Sequence, residues 1–182
     1  ALDVQQSKTD SDYTPKTTLD IVDFCRRAAD DARSRYGKAV EIDYRTDVPT
    51  AYVCVDVVRL QPVLAELIDF AVNNRTDDEP LHLTLTADDK RVKLNVSIPG
   101  MTIHQTDIPF VFNRYYSVAD NTKPDSTNTL ALVREFAEQQ GALTAVESTD
   151  NLTVVTIGFA PAQTASTSTQ HAGSDTATPK DI

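Results

Sequence analysis

Val111-Phe112-Asn113-Arg114-Tyr115-Tyr116 is a run of aromatic and cationic residues inside an otherwise irregular, proline-punctuated stretch. On both sides of it the sequence is helical. Upstream, Leu60, Val63, Leu64, Leu67, Ile68 and Ala71 recur at i, i+3 and i+4 spacing, which makes one stripe of a helix apolar. Asp56 stands where its carboxylate would cap that helix. Pro62 is awkward there, having no N–H and a ring that clashes with the preceding turn. It falls in the first turn of a late-starting helix or it kinks the helix. Downstream, residues 129–140 place Leu132, Val133, Phe136 and Ala137 on one side and stop at Gly141.

Farther out, residues 18–36 read as a helix with Ile21, Phe24, Cys25, Ala28 and Ala32 on one stripe and Gly37 as its stop. Val40, Ile42 and Tyr44 alternate with polar residues as a half-buried strand does, and residues 51–55 form a second short strand beyond Val48-Pro49. Residues 73–80 are a polar loop. Leu81, Leu83 and Leu85, then Val92, Leu94 and Val96, alternate on either side of Ala87-Asp88-Asp89-Lys90, which reads as a hairpin. Residues 97–127 are irregular. Strands at 143–147 and 152–159 close the pattern around the turn Ser148-Thr149-Asp150-Asn151. This order predicts an α+β fold, a two-layer α/β sandwich with a mixed, mostly antiparallel sheet and helices on one face. The domain is expected over residues 18–160. A polar segment, 1–17, precedes it. A flexible tail, 161–182, follows, where eight of the last 22 residues are Ser or Thr and little apolar surface can offset ordering.

Net charge is −10, which repels nucleic-acid phosphates and anionic membranes. No apolar run approaches the ~20 residues needed to span a bilayer. The first residues are polar rather than cationic, unlike a signal peptide, and the missing initiator Met reads as a fragment or processed product. Cys25 and Cys54 fall in apolar segments and read as buried reduced thiols in a cytoplasmic protein. His82, His104 and His171 lack zinc spacing with them, and none is followed by the acidic-Arg or acidic-Leu pair of a phosphoacceptor histidine. No Walker loop and no nucleophile–base–orienter set is present.

Taken together, Asp56 with Arg59-Leu60, the segment 111–116 and the helix from Leu130 to Gly141 resemble, in order and spacing, the ATP-binding domain of sensor histidine kinases. That is the Bergerat fold shared with Hsp90, gyrase and MutL-type ATPases. The resemblance runs over residues 18–159. In that family the long helix carries asparagines that ligate magnesium and a cation-type group near the phosphates. Here Glu66, Phe70 and Asn73 stand at those positions. Glu66 is a remaining ligand or base, or a solvated helix residue; Phe70 offers magnesium no lone pair. The family's Asp-x-Gly-x-Gly aligns with Ile98-Pro99-Gly100-Met101-Thr102, so Ile98 replaces the adenine acceptor and Thr102 the second glycine. The phosphate-binding glycine loop aligns with Ser126-Thr127-Asn128-Thr129-Leu130, where hydroxyls hold an anion at the helix start or merely cap it. Of five glycines (Gly37, Gly100, Gly141, Gly158, Gly173) only Gly100 falls in a nucleotide box.

The degenerate pocket is therefore Glu66, Asn73, Gly100, Ser126 and Thr127, with no catalytic residue and no metal site. Losing the adenine acceptor and the metal ligand would lower ATP affinity by about two orders of magnitude or more. The resemblance assigns partner contact to Phe112, Arg114, Tyr115 and Tyr116, a composition favoured at interface anchors, although Phe112 and Tyr115 also suit a core under the lid. The implied function is a pseudokinase in two-component signalling that needs neither ATP nor magnesium. It would contact a helical phosphotransfer or dimerisation domain, another kinase or a response regulator. The alternative is a divergent but active catalytic domain, using ATP and magnesium, whose phosphoacceptor helices lie outside this chain.

Overall fold

The computed structural model describes residues 15–76, 78–114 and 128–163. Residues 1–14 of the N-terminal segment and 164–182 of the expected tail fall outside them; Ala162, expected in the flexible tail, instead donates its N–H to the Tyr52 carbonyl at 2.8 Å. The elements are β1 (Thr17–Asp20), α1 (Ile21–Tyr36), β2 (Ile42–Thr46), β3 (Tyr52–Val55), α2 (Val57–Asn74), β4 (Leu81–Ala87), β5 (Val92–Pro99), α3 (Thr129–Gln139), β6 (Leu143–Thr149) and β7 (Leu152–Phe159). Five strands form one sheet in the order β2-β4-β5-β7-β6, and β1 pairs with β3 apart from it. Only the β2–β4 pair of the large sheet is parallel. Period-2 alternation explains where the core sits. Leu83, Val96 and Val155 make one cross-strand row and Leu85, Leu94 and Ile157 the next, all buried under the helices. This is the two-layer sandwich the sequence predicts.

Helix α1 begins later than expected. Thr18 lies in β1 opposite Cys54, because Asp20 is the true N-cap. Its Oδ1 accepts from the Val22 and Ala51 N–H groups, both at 3.1 Å, and so fixes the corner between strand and helix. The buried stripe is Ile21, Val22, Cys25, Ala29 and Ala32, whereas Phe24 and Ala28 are only half-buried. Cys54 is exposed, contrary to expectation, because Val53 and Val55 take the inward phase of β3. Both thiols are free.

All six apolar positions expected on α2 are buried, together with Phe70. Asp56 caps the helix by accepting from the Arg59 N–H at 3.3 Å. Pro62 sits in the second turn of the helix rather than in its first. The N–H it lacks would have met the carbonyl of Val58, a residue 68 % exposed, so solvent can satisfy that carbonyl. Gln140 and Gln139 tie α3 to this end, accepting from the Asp56 N–H at 2.8 Å and from Arg59 Nη1 at 2.9 Å.

On α3 the buried side is Leu130, Val133, Phe136 and Ala137, and Leu132 faces outward at 42 % exposure. The helix ends in a Schellman motif: Ala142 N–H donates to the Ala137 carbonyl at 2.8 Å and Gly141 N–H to that of Glu138 at 3.2 Å. Gly141 has φ +67° and empty space around a would-be Cβ. Gly141→Ala should therefore destabilise the domain through conformation alone, by about 1–2 kcal/mol in urea unfolding. No change would mean the motif can relax.

The last hairpin is tighter than expected. Ser148 and Thr149 belong to β6, and the turn narrows to Asp150-Asn151, with Asn151 at φ +63°, a conformation asparagine tolerates. Within the stretch expected to be irregular, β5 continues to Pro99 and Ile108–Phe110 form one 3₁₀ turn. Among the described residues no helix is long and apolar enough to cross a membrane.

Candidate functional site

Helix α2 carries Glu66 and Asn73 seven residues apart, about 10 Å along its axis, and both are exposed. Phe70, between them, points inward and is 4 % exposed. At the exit of α2 the chain meets the end of β5. Thr76 N–H donates to the Pro99 carbonyl at 3.3 Å and its Oγ1 to the Gly100 carbonyl at 2.8 Å. Gly100 N–H donates to the Asn151 carbonyl at 2.7 Å, and φ +76° there suits only glycine without strain. The fold thus gathers Asn73 and Gly100 at one end of the layer.

Ile98 is wholly buried and lies opposite Thr153 of β7. Thr153 is also wholly buried; its Oγ1 donates to the Met101 carbonyl at 2.8 Å and lies 2.9 Å from Ser148 Oγ. Ser148 Oγ accepts from Ile103 N–H at 2.8 Å, and Thr102 Oγ1 accepts from Asn151 N–H at 2.9 Å. Gln105 Nε2 adds a bond to the Ser148 carbonyl at 2.9 Å. These side chains fasten the segment after β5 to the β6–β7 end. Thr153 went unnoticed in the sequence, yet a signal was there. It shares its strand phase with Val155 and Ile157, so its hydroxyl had to be buried and therefore bonded.

This constellation is a poor fit to ATP and magnesium. Position 98 offers an adenine amine an alkyl group, and position 70 offers a cation a benzyl group. Ile98, Phe70 and Ile103 all belong to the hydrophobic core. Ser126 and Thr127 lie outside the described residues, and Thr129 at the start of α3 is buried.

Residues 111–114, the described part of the aromatic and cationic segment, lie beside α3. Val111 is buried and anchors it, and Phe112 is half-buried. Arg114 Nη2 meets Glu135 Oε2 at 3.2 Å in an exposed pair. Tyr115 and Tyr116 lie outside the described residues. Beside this segment a cleft of about 320 Å³ separates α2 from α3, lined by Val58, Pro62, Val63, Leu132 and Phe136 among others. Exposed Val58 and Leu132 give this side of the molecule an apolar character that the sequence reading missed.

Residues 55–164 match the family described as histidine kinase-, DNA gyrase B-, and HSP90-like ATPases. The sensor histidine kinase YkoH of Bacillus subtilis (strain 168) is 26 % identical over 146 residues, which is 78 % of this chain and 31 % of YkoH. The chain thus spans under a third of that curated relative. Among solved structures, the nucleotide-free catalytic domain of histidine kinase ThkA superposes with TM-score 0.70 at 18 % identity, covering 81 % of this chain and 96 % of that one. ThkA in complex with the response regulator TrrA gives TM-score 0.67 at 15 % identity, covering 80 % of this chain and 41 % of that one. At these identities the structures show the fold, and the family match adds the lineage. The chain belongs to the histidine kinase-, DNA gyrase B-, and HSP90-like ATPase family.

Proposed function

We propose that this domain is a degenerate member of its family, a pseudokinase that acts in cytoplasmic signal transduction through protein contacts and does not use ATP or magnesium. The observation that carries the reading is Ile98, wholly buried where the family places its adenine acceptor, opposite a Thr153 hydroxyl already committed to Met101 and Ser148. Its segment is ordered by the protein's own hydroxyls, so a purine is not needed to hold it. The partner is a helical phosphotransfer or dimerisation domain, another kinase or a response regulator. Support comes from the apolar cleft of Val58, Pro62 and Leu132 beside Phe112, which offers a helix an apolar seat rimmed by the Arg114–Glu135 and Arg134–Glu138 ion pairs. The ThkA complex with TrrA supports the last class of partner by analogy.

Isothermal titration with ATP-Mg and with ADP tests the reading. No saturable heat is expected at sub-millimolar nucleotide. Saturation there rejects it in favour of a divergent active domain using the exposed Glu66 and Asn73.

A further inference from the structure

On the far side of the helix layer from the sheet, α1 and α2 run side by side. Arg35 Nη1 bridges to Asp69 of α2 at 2.9 Å, and Tyr36 donates to the same carboxylate at 2.5 Å. Between the helices lies an open groove of about 860 Å³, larger than the α2–α3 cleft. Its apolar lining is Leu19, Phe24, Ala28, Val57, Ala65 and Ile68. The groove exists because the apolar sector of α1 is wider than the sheet can cover. Ile21, Val22, Cys25, Ala29 and Ala32 go to the core, and Phe24 and Ala28 are left half-buried at the outer seam. Ala28 on the α1 wall and Ala65 on the α2 wall are small and leave room for a third backbone. From Val57 to Ile68 the groove follows about 16 Å of α2, three turns.

We propose that this groove is a second docking surface, and that it takes a basic amphipathic helix of a partner protein. Shape selects a helix, because a trough between two helices, three turns long, accepts a third helix whose side-chain ridges pack into the grooves of both. Charge selects its sign. Arg27 is paired with Asp23 at 2.7 Å and Arg35 with Asp69, so each exposed cation already has a counter-charge. The Asp20 carboxylate is engaged by two backbone N–H groups. Asp31, exposed midway along α1, has no hydrogen bond or ion pair among the described residues. The groove therefore shows a partner an apolar floor and an unanswered carboxylate, on a chain whose net charge is −10. A Lys or Arg flanking a leucine stripe complements both features; an acidic helix is repelled. The surface is separate from the α2–α3 cleft and independent of whether the nucleotide site works.

The test uses a three-turn peptide with leucines on one face and lysines on the flanks, and the same peptide with glutamates for the lysines. Fluorescence anisotropy reads affinity, and alanine- and leucine-methyl NMR reads location. The lysine peptide is expected to bind and to move the Ala28 and Ala65 methyl signals while leaving Leu132 in place. Asp31→Lys, an exposed change that should leave the unfolding curve intact, is expected to weaken the lysine peptide about three- to fivefold and to strengthen the glutamate one. Ala65→Trp, filling the groove, should abolish binding of both. Absence of binding, signal changes confined to Leu132, or equal affinity for the two peptides in the parent chain would overturn the proposal.

Discussion

Ile98→Asp is expected to lower the free energy of unfolding by about 3–5 kcal/mol, read as a fall in the urea midpoint at unchanged slope. Two losses act together. The alkyl side chain leaves a site with no solvent exposure, which alone costs roughly 1.5–3 kcal/mol of burial. The incoming carboxylate then lacks a partner there. Thr153, opposite it, already donates to Met101, and no cation stands in this hydroxyl network. The charge must stay unpaired or the group must take up a proton. Ile98→Val keeps the apolar character and should cost only about 0.5–1.5 kcal/mol. Addition of ATP-Mg should leave both variants unmoved. An aspartate variant as stable as the parent, or one whose midpoint climbs with nucleotide, would mean that position 98 borders an open purine cavity. The pseudokinase reading would then fail.

The difference between position 98 as a ligand position and as a core position was partly legible beforehand. Loss of the acceptor follows from residue identity alone. What fills its place does not, because the Thr153 and Ser148 hydroxyls come from strands more than 40 residues downstream. Local periodicity served best where one element buries one face. All six stripe residues of α2 and the β4–β5 hairpin came out as read. It failed where an element faces two ways. Phe24 and Ala28 on α1, and Leu132 on α3, are apolar yet lie outside the core, and no periodicity distinguishes an apolar residue turned to the sheet from one turned to a partner. Strand β1 was missed for another reason. It has four residues, and its partner among the described residues, β3, is more than 30 residues away. Two of the partner residues and two of the pocket residues taken from the resemblance, Tyr115, Tyr116, Ser126 and Thr127, lie outside the described residues. The site that can be discussed is its α2 and β5 side.

The domain is also expected to lose stability steeply as pH rises from 9 to 12, and α1 is where the loss originates. Burial, with a lesser contribution from Asp20, pushes the Cys25 thiol from its ordinary 9.0 up to about 12. The unfolded chain therefore releases this proton near pH 9 while the native state keeps it. Over that window the unfolded state binds fewer protons, and the free energy of unfolding falls as pH rises. The contribution is complete below pH 9 and gone once pH passes about 12, and for Cys25 it amounts to roughly 4 kcal/mol at about 1.4 kcal/mol per pH unit. Tyr36 and Tyr44 are displaced in the same direction, each from 10.0 to about 12, chiefly by burial. Tyr36 also donates to Asp69, and Tyr44 donates to the Val22 carbonyl at 2.9 Å. The Cys25 thiolate is itself one of the charges that raise Tyr44, so the two titrations interact and their single variants should not add. Urea unfolding at successive pH values checks this. Cys25→Ala should lose some stability at neutral pH through the small cavity it leaves, yet show a shallower decline between pH 9 and 12. A parent curve flat across that window would show that the thiol is not sealed under α1. An unchanged slope in Cys25→Ala would move the cause to the tyrosines, Tyr36 at the Asp69 junction between α1 and α2 and Tyr44 at the Val22 carbonyl.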